Sequence, residues 1–325
     1  MRFPALNGLI ALVLMTLSTA PLMAQQAWPT KPIRFITPFA AGGSTSVLAR
    51  IVGQKFTETW GQQVLVDNRP GGNTLIGAEA LARSAADGYT LMLAPINHAL
   101  NPLLIPHWPF DPVKDFTNIS TLGRSEYALA LHPGLPVNNL QEFIAHAKAR
   151  PGQLNYASPA SGGPGHLAGE LFNIRAGVKL VHVPYKGAAP AINDLVGGQV
   201  QLSFVVPLNV VPLVKAGKLR AIAISGPKRM SALPQMPTFT EAGLANFEPT
   251  IWFGVIGPAG LPRPIVDRLN AEIVRLLALA ETRETLEAQG MEPFSSSPAE
   301  FDALIKSDQV KFAQVIKTAH IKIDH

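Results

Sequence analysis

The chain has 325 residues, 47% of them apolar and 15% charged, which is enough for a sizeable core and excludes a disordered, charge-rich polypeptide. Lys and Arg number 27 against 22 Asp and Glu, a formal charge of +5, but no basic run is interleaved with aromatics, so a nucleic-acid face is not expected. Cysteine is absent, which excludes disulfides, thiol catalysis, Cys-ligated metals and a lipidated N-terminal Cys.

In chain order, Arg2 precedes an apolar run over 9–17 and a small-residue stretch over 18–24. This pattern predicts an export leader over 1–24, cleaved after Ala24. The run is short for a membrane-spanning helix. A strand is predicted over 31–37 and a helix over 45–60, where Leu48, Ile51, Val52 and Phe56 recur at helical spacing. A strand over 64–66, a helix over 75–84 and a strand over 89–94 follow, and a Pro-rich stretch over 102–112 reads as surface loop. Next come a strand over 127–131, a helix over 140–148, a strand over 154–157, a helix over 166–172, a strand over 180–183, a helix over 189–196, and strands over 201–206 and 220–225. A strand over 252–256, an amphipathic helix over 264–279 and a last helix over 301–318 complete the chain.

This alternation predicts βαβ units and largely parallel sheets, arranged as two α/β domains. Crossovers near 127–131 and 252–256 would join 25–124 and 257–325 into one domain, with 125–256 as the other.

Four uncharged or nearly uncharged Gly- or Ser-rich loops each precede a predicted helix: 38–45, 69–74, 158–165 and 184–189. A helix start leaves backbone N–H groups unpaired and carries a partial positive charge. Glycine lets a ligand come close to those groups. Several such loops on one cleft would hold a small anion with dipoles and hydroxyls. Catalysis is not indicated. The chain has no Gly-x-Ser-x-Gly elbow, no His-Glu-x-x-His pair and no phosphate-binding Gly-x-x-x-x-Gly-Lys loop. A hydrolytic enzyme is therefore a remote alternative, and neither cofactor nor metal is expected.

Several segments carry a resemblance. They include Pro38-Phe39-Ala40-Ala41-Gly42-Gly43, Asp67-Asn68-Arg69-Pro70-Gly71-Gly72, His182-Val183-Pro184-Tyr185-Lys186-Gly187, Asp194-Leu195-Val196-Gly197-Gly198 and Trp252-Phe253-Gly254. In this order the chain resembles the substrate-binding proteins of tripartite tricarboxylate transporters, the Bug family. The resemblance implies a two-lobed periplasmic-binding-protein fold of type II, with a hinge and an interdomain cleft. It implies a monomeric periplasmic receptor that binds a small carboxylate and delivers it to a two-subunit membrane permease. The alternative the resemblance leaves open is a sensor-coupled binding protein that presents its ligand to a two-component histidine kinase.

The candidate ligand-binding residues are Phe39, Ala41, Gly42, Gly43, Ser44 and Thr45 on the first loop, and Asn73 and Thr74 on the second. On the other lobe they are Ser158, Ser161, Gly162 and Gly163, with Tyr185, Lys186, Gly187 and Ala188. Phe39 reads equally as an apolar wall or as core. Asn73 and Thr74 read as donors or as caps, and Lys186 as a partner for a carboxylate or a solvated side chain. His166 reads as a packing or capping residue. The chain departs from the family pattern at Ser46, where Asp is frequent, at Ala160 and Gly163, and at Val205 and Val206 after the strand ending at Phe204. A cleft with fewer acidic groups would disfavour a ligand carrying a free ammonium.

Overall fold

The computed structural model describes residues 28–319, apart from 248 and 289. The expected leader and its cleavage after Ala24 lie outside the described residues. The chain begins with β1 (Ile33–Thr37), α1 (Ser44–Trp60), β2 (Val64–Asn68), α2 (Leu75–Ala82), β3 (Thr90–Pro95), α3 (Asn97–Leu104) and β4 (Phe116–Glu126). It continues through β5 (Ala128–Leu131), α4 (Leu140–Lys148), β6 (Asn155–Ser158), α5 (Pro164–Ala176), β7 (Val181–Pro184), α6 (Ala188–Val196), β8 (Leu202–Val205), α7 (Pro207–Lys215) and β9 (Arg220–Ile224). It returns through β10 (Thr250–Pro258), α8 (Arg263–Ala278), α9 (Ala280–Glu287), β11 (Glu292–Pro293) and α10 (Pro298–Ala319).

Two sheets result, one per lobe. The first has the order β11-β4-β10-β3-β1-β2 and the second β7-β6-β8-β5-β9. Both are mixed, which corrects the expectation of largely parallel sheets. β1 runs parallel to β2 and β3, but β10 is antiparallel to both β3 and β4. In the second lobe β6 is parallel to β7 and β8, while β5 is antiparallel to β8 and β9. The reason is the chain path. β4 leads out of the first lobe and β10 leads back, so as neighbours they run in opposite directions. All of β10 pairs in the first sheet. Ser225 ties the two crossings together. It is fully buried, its hydroxyl accepts from the Tyr127 N–H at 2.8 Å, and it donates to the Pro249 carbonyl.

Helix faces follow the apolar spacing. α8 buries Val266, Leu269, Ile273, Leu276 and Leu277. α1 buries Leu48, Val52 and Phe56 and ends at Gly61, whose φ of 65° suits a left-handed cap. Three helices escaped the sequence reading, α3, α7 and α9, and the first two each contain an internal proline, Pro102 and Pro212. Proline removes a helix donor and disfavours such a reading. Tertiary burial of Leu100 and Leu104, and of Leu208, Val210 and Val211, overrides it here. The stretch expected as surface loop from residue 102 thus begins inside a helix.

Candidate functional site

The two lobes touch across a cleft. The Asn73 side-chain amide donates to the Ser161 carbonyl at 3.0 Å. A Cβ placed on Gly187 would lie 3.1 Å from the Ala40 nitrogen, and one on Gly42 would lie 3.5 Å from the Ala189 Cβ. The loops of the two lobes therefore meet backbone to backbone, in a closed arrangement.

Beneath that contact lies a cavity with about 510 Å³ of space between its atoms, open solvent at its mouth included. Six of the expected site residues line it: Phe39, Gly43, Ser44, Thr45, Gly163 and Ala188. Phe39 is half-buried and forms wall. The loop carrying it is anchored by Asn68, whose amide donates to the Phe39 carbonyl at 2.9 Å.

The cavity draws on the starts of five helices, α1, α3, α5, α6 and α7, through Ser44, Asn97, Pro164, Ala188 and Asn209. None of these helices has a side-chain cap or an acidic residue in its first turn. At α1 the N–H groups of Ser44, Thr45 and Ser46 have no acceptor among the described residues. Thr45 is 1% exposed and Ser46 0%, yet both hydroxyls lack a partner. Buried polar groups are ordinarily satisfied, so the α1 start, which lines the cavity through Ser44 and Thr45, carries unused donors. No lining residue carries a charge.

The other expected residues do not line the cavity. Ala41 and Gly42 are exposed on the outer side of the first loop. Asn73 and Thr74 do not cap α2 with their side chains. Instead they join Asn97 and Asn101 in a network, in which Asn101 donates to the Asn73 carbonyl at 2.7 Å and to the Thr74 hydroxyl at 2.9 Å. Both sit at positive φ, 50° and 79°, a costly conformation for non-glycine residues. Ser161 offers its carbonyl to Asn73 rather than its hydroxyl to a ligand.

Ser158 is buried within its own lobe, bonded to the Ala160 carbonyl and to His182 Nε2 at 2.7 Å. Gly162, at φ 69°, donates its N–H to His166 Nδ1 at 2.9 Å, so His166 shapes the loop. Tyr185 donates to Asp194 at 2.7 Å and Lys186 is exposed, so neither reaches the lining. Gly187 serves the lobe–lobe contact.

Below the third loop, His166 and His182 stack at 3.8 Å between ring centroids. Burial, with the neighbouring His166, holds the His182 pKa down to about 3. It is neutral at ordinary pH and contributes no charge to the site.

Several cavity residues were not anticipated: Pro95, Asn97, Tyr127, Phe204, Asn209, Ile251 and Phe253. Tyr127 and Ile251 stand at the lobe crossings, and Asn209 lies on the unanticipated α7. Ala160, Gly163, Val205 and Val206 also line the cavity.

The profile of the tripartite tricarboxylate transporter family receptor matches residues 48–321. This chain belongs to that family. It is 35% identical to the protein BugT of Bordetella pertussis over 99% of this chain and 100% of that one. A solved structure from R. palustris, Rpa4515 with adipate, superposes with a TM-score of 0.88 at 36% identity, covering 91% of this chain and 99% of the other. MatC from Rhodopseudomonas palustris, with bound malate, gives 0.83 at 29% identity, covering 89% and 100%. Members of the family are solute-binding receptors, not enzymes.

Proposed function

We propose that this chain is an exported periplasmic receptor that captures a small carboxylate between its lobes and delivers it to a two-subunit membrane permease, acting as a monomer. The observation that carries the reading is the α1 start: the unpaired N–H groups of Ser44 and Thr45 and the partnerless Thr45 hydroxyl, on residues that line a cavity with no carboxylate to repel an anion. One helix start contributes about 0.3–1 kcal/mol to an exposed anion and up to about 2 when partly buried. Several together, water excluded, suffice for micromolar affinity, about 8 kcal/mol. Relatives with adipate and malate support the ligand class. Contacts from both lobes make binding favour closure, by the difference in affinity between the two states.

The lining offers no anionic partner for an ammonium, so the ligand is a carboxylate without a free amine. The test is a thermal-shift and calorimetric screen of the chain from Gln25 against mono-, di- and tricarboxylates, aromatic carboxylates and acidic amino acids. A ligand at about 100 times its Kd adds about 2.7 kcal/mol of stability. Aspartate binding more tightly than succinate would refute the exclusion of amines. Silence from every carboxylate, after unfolding and refolding to remove carried-over ligand, would refute the receptor reading.

A further inference from the structure

Two polar side chains of the cavity, far in the sequence from the α1 start, have no partner among the described residues. Tyr127 and Asn209 both line the cavity. Tyr127 is 3% exposed. Its backbone N–H is committed to Ser225 at 2.8 Å, but its hydroxyl makes no hydrogen bond to a described residue. Burial pushes its pKa up, so the phenol stays neutral. Asn209 lies in the first turn of α7. Its side-chain amide is likewise unbonded, with Oδ1 buried.

The strand ladder brings the two residues to one end of the cavity. Ala128 of β5 pairs with Val205 of β8 in antiparallel register, so Tyr127 and Val206 flank the next position. The Asn209 N–H in turn bonds the Val206 carbonyl at 3.0 Å. The pair therefore sits where β8 runs into α7, in the second lobe and at its crossing. Ser44 and Thr45, by contrast, open α1 of the first lobe.

A buried hydroxyl and a buried amide each need a hydrogen-bonding neighbour. A ligand whose far end is bare hydrocarbon would displace water from both and leave them unpaired, which costs affinity. A second polar group on the ligand removes that cost. Carboxylate, carbonyl and hydroxyl all serve, because a phenol O–H and an amide N–H donate to any of them. The pair thus asks for a second hydrogen-bonding group without choosing among these.

We propose that Tyr127 and Asn209 are specificity residues forming a second subsite, so that the preferred solute is two-headed: a carboxylate on the α1 start and a second polar group on this pair. The inference rests on the carboxylate-receptor reading above.

The experiment is calorimetric titration of the chain from Gln25, and of its Tyr127→Phe and Asn209→Leu variants, with probes matched in their carbon skeletons. These are butyrate with succinate, hexanoate with adipate and with 6-hydroxyhexanoate, and 4-methylbenzoate with terephthalate. Ligand-free unfolding curves verify that each variant is folded, and Asn209→Ala keeps the test open if Leu overpacks. In the set that fits best, the two-headed probe is expected to bind the unmodified chain at least about tenfold more tightly than its one-headed partner. Each variant is expected to shrink that preference about fivefold, while binding the one-headed probe at least as tightly as the unmodified chain does, since a group left unpaired has been removed. Equal affinities within every set, or a preference undiminished in both variants, would overturn the proposal. Either result, with binding still observed, defeats this inference alone. Absence of binding by every probe defeats it together with the receptor reading.

Discussion

Two glycine-capped helix starts face each other across the cleft and do different work. Gly43 opens α1 and Gly187 opens α6, both without a side-chain cap. Gly43 has φ −79°, accessible to any residue, and an added Cβ would meet nothing closer than 3.5 Å. It leaves N–H groups facing the cavity. Gly187 has φ 130°, and its added Cβ would press the Ala40 nitrogen at 3.1 Å. Its role is to let the lobes close. The same local pattern therefore opens a helix start that lines the cavity through Ser44 and Thr45 in one lobe, and in the other one that lines it through Ala188 while its glycine meets the facing lobe.

The lobes share a response to acid, since each holds one histidine whose pKa burial lowers. The first holds His98, buried beside Phe116, with its Nε2–H donating to the Pro112 carbonyl at 2.9 Å. Burial pushes its pKa down to about 4. The second holds His182, pushed down to about 3 by burial and by His166. A depressed folded-state pKa means that the unfolded chain binds more protons below pH about 6.5, so stability is full above that value and is lost on acidification. The loss runs until about pH 4 for His98 and about pH 3 for His182. Its limiting slope is about 1.4 kcal/mol per pH unit for each histidine. Urea unfolding at stepped pH should show this slope. It should flatten in His182→Gln while the His98 part persists, and an unchanged slope would contradict the assignment.

Gly187→Val should weaken carboxylate binding about a hundredfold, since the left-handed φ is strained for valine and the lobes cannot meet. Gly43→Ala, the matched control, should stay within about twofold, because its methyl has room. Small-angle scattering with saturating ligand should show the Gly187 variant remaining extended. Equal losses in the two variants would erase the distinction drawn above.

Asn73→Gly removes the bond to Ser161 yet keeps the positive φ, and should weaken binding about fivefold, the worth of one hydrogen bond. Tyr185→Phe should leave affinity within about twofold and lower only the unfolding midpoint. A binding defect there comparable to that of Gly187→Val would place Tyr185 in the site after all.

Much of the fold was legible. The apolar spacing of Leu48, Val52 and Phe56 marked α1, and the strands β1, β2, β3 and β5 to β9 fell close to their expected positions. Among the elements missed, α3 and α7 carry an internal proline that argues against a helix, whereas β4 and α9 carry none. Pro212 masks α7, and with it Asn209. At the site, the loops were visible but not their assignment. Ser158 and Tyr185 have the chemistry of ligand groups, and only the packed structure shows both hydroxyls already bonded, to His182 and Asp194 respectively.

Sequence by itself determined the alternation of strand and helix, the uncapped helix starts and the uncharged loops, because these depend on neighbours a few residues apart. The tertiary structure decided which loops share a cavity, which glycine lines it and which closes it, and which polar atoms remain without partners. Those properties arise where residues as distant as Thr45, Tyr127 and Asn209 line one cavity. Whether each of their polar atoms is satisfied depends on the whole surround, which no local pattern encodes.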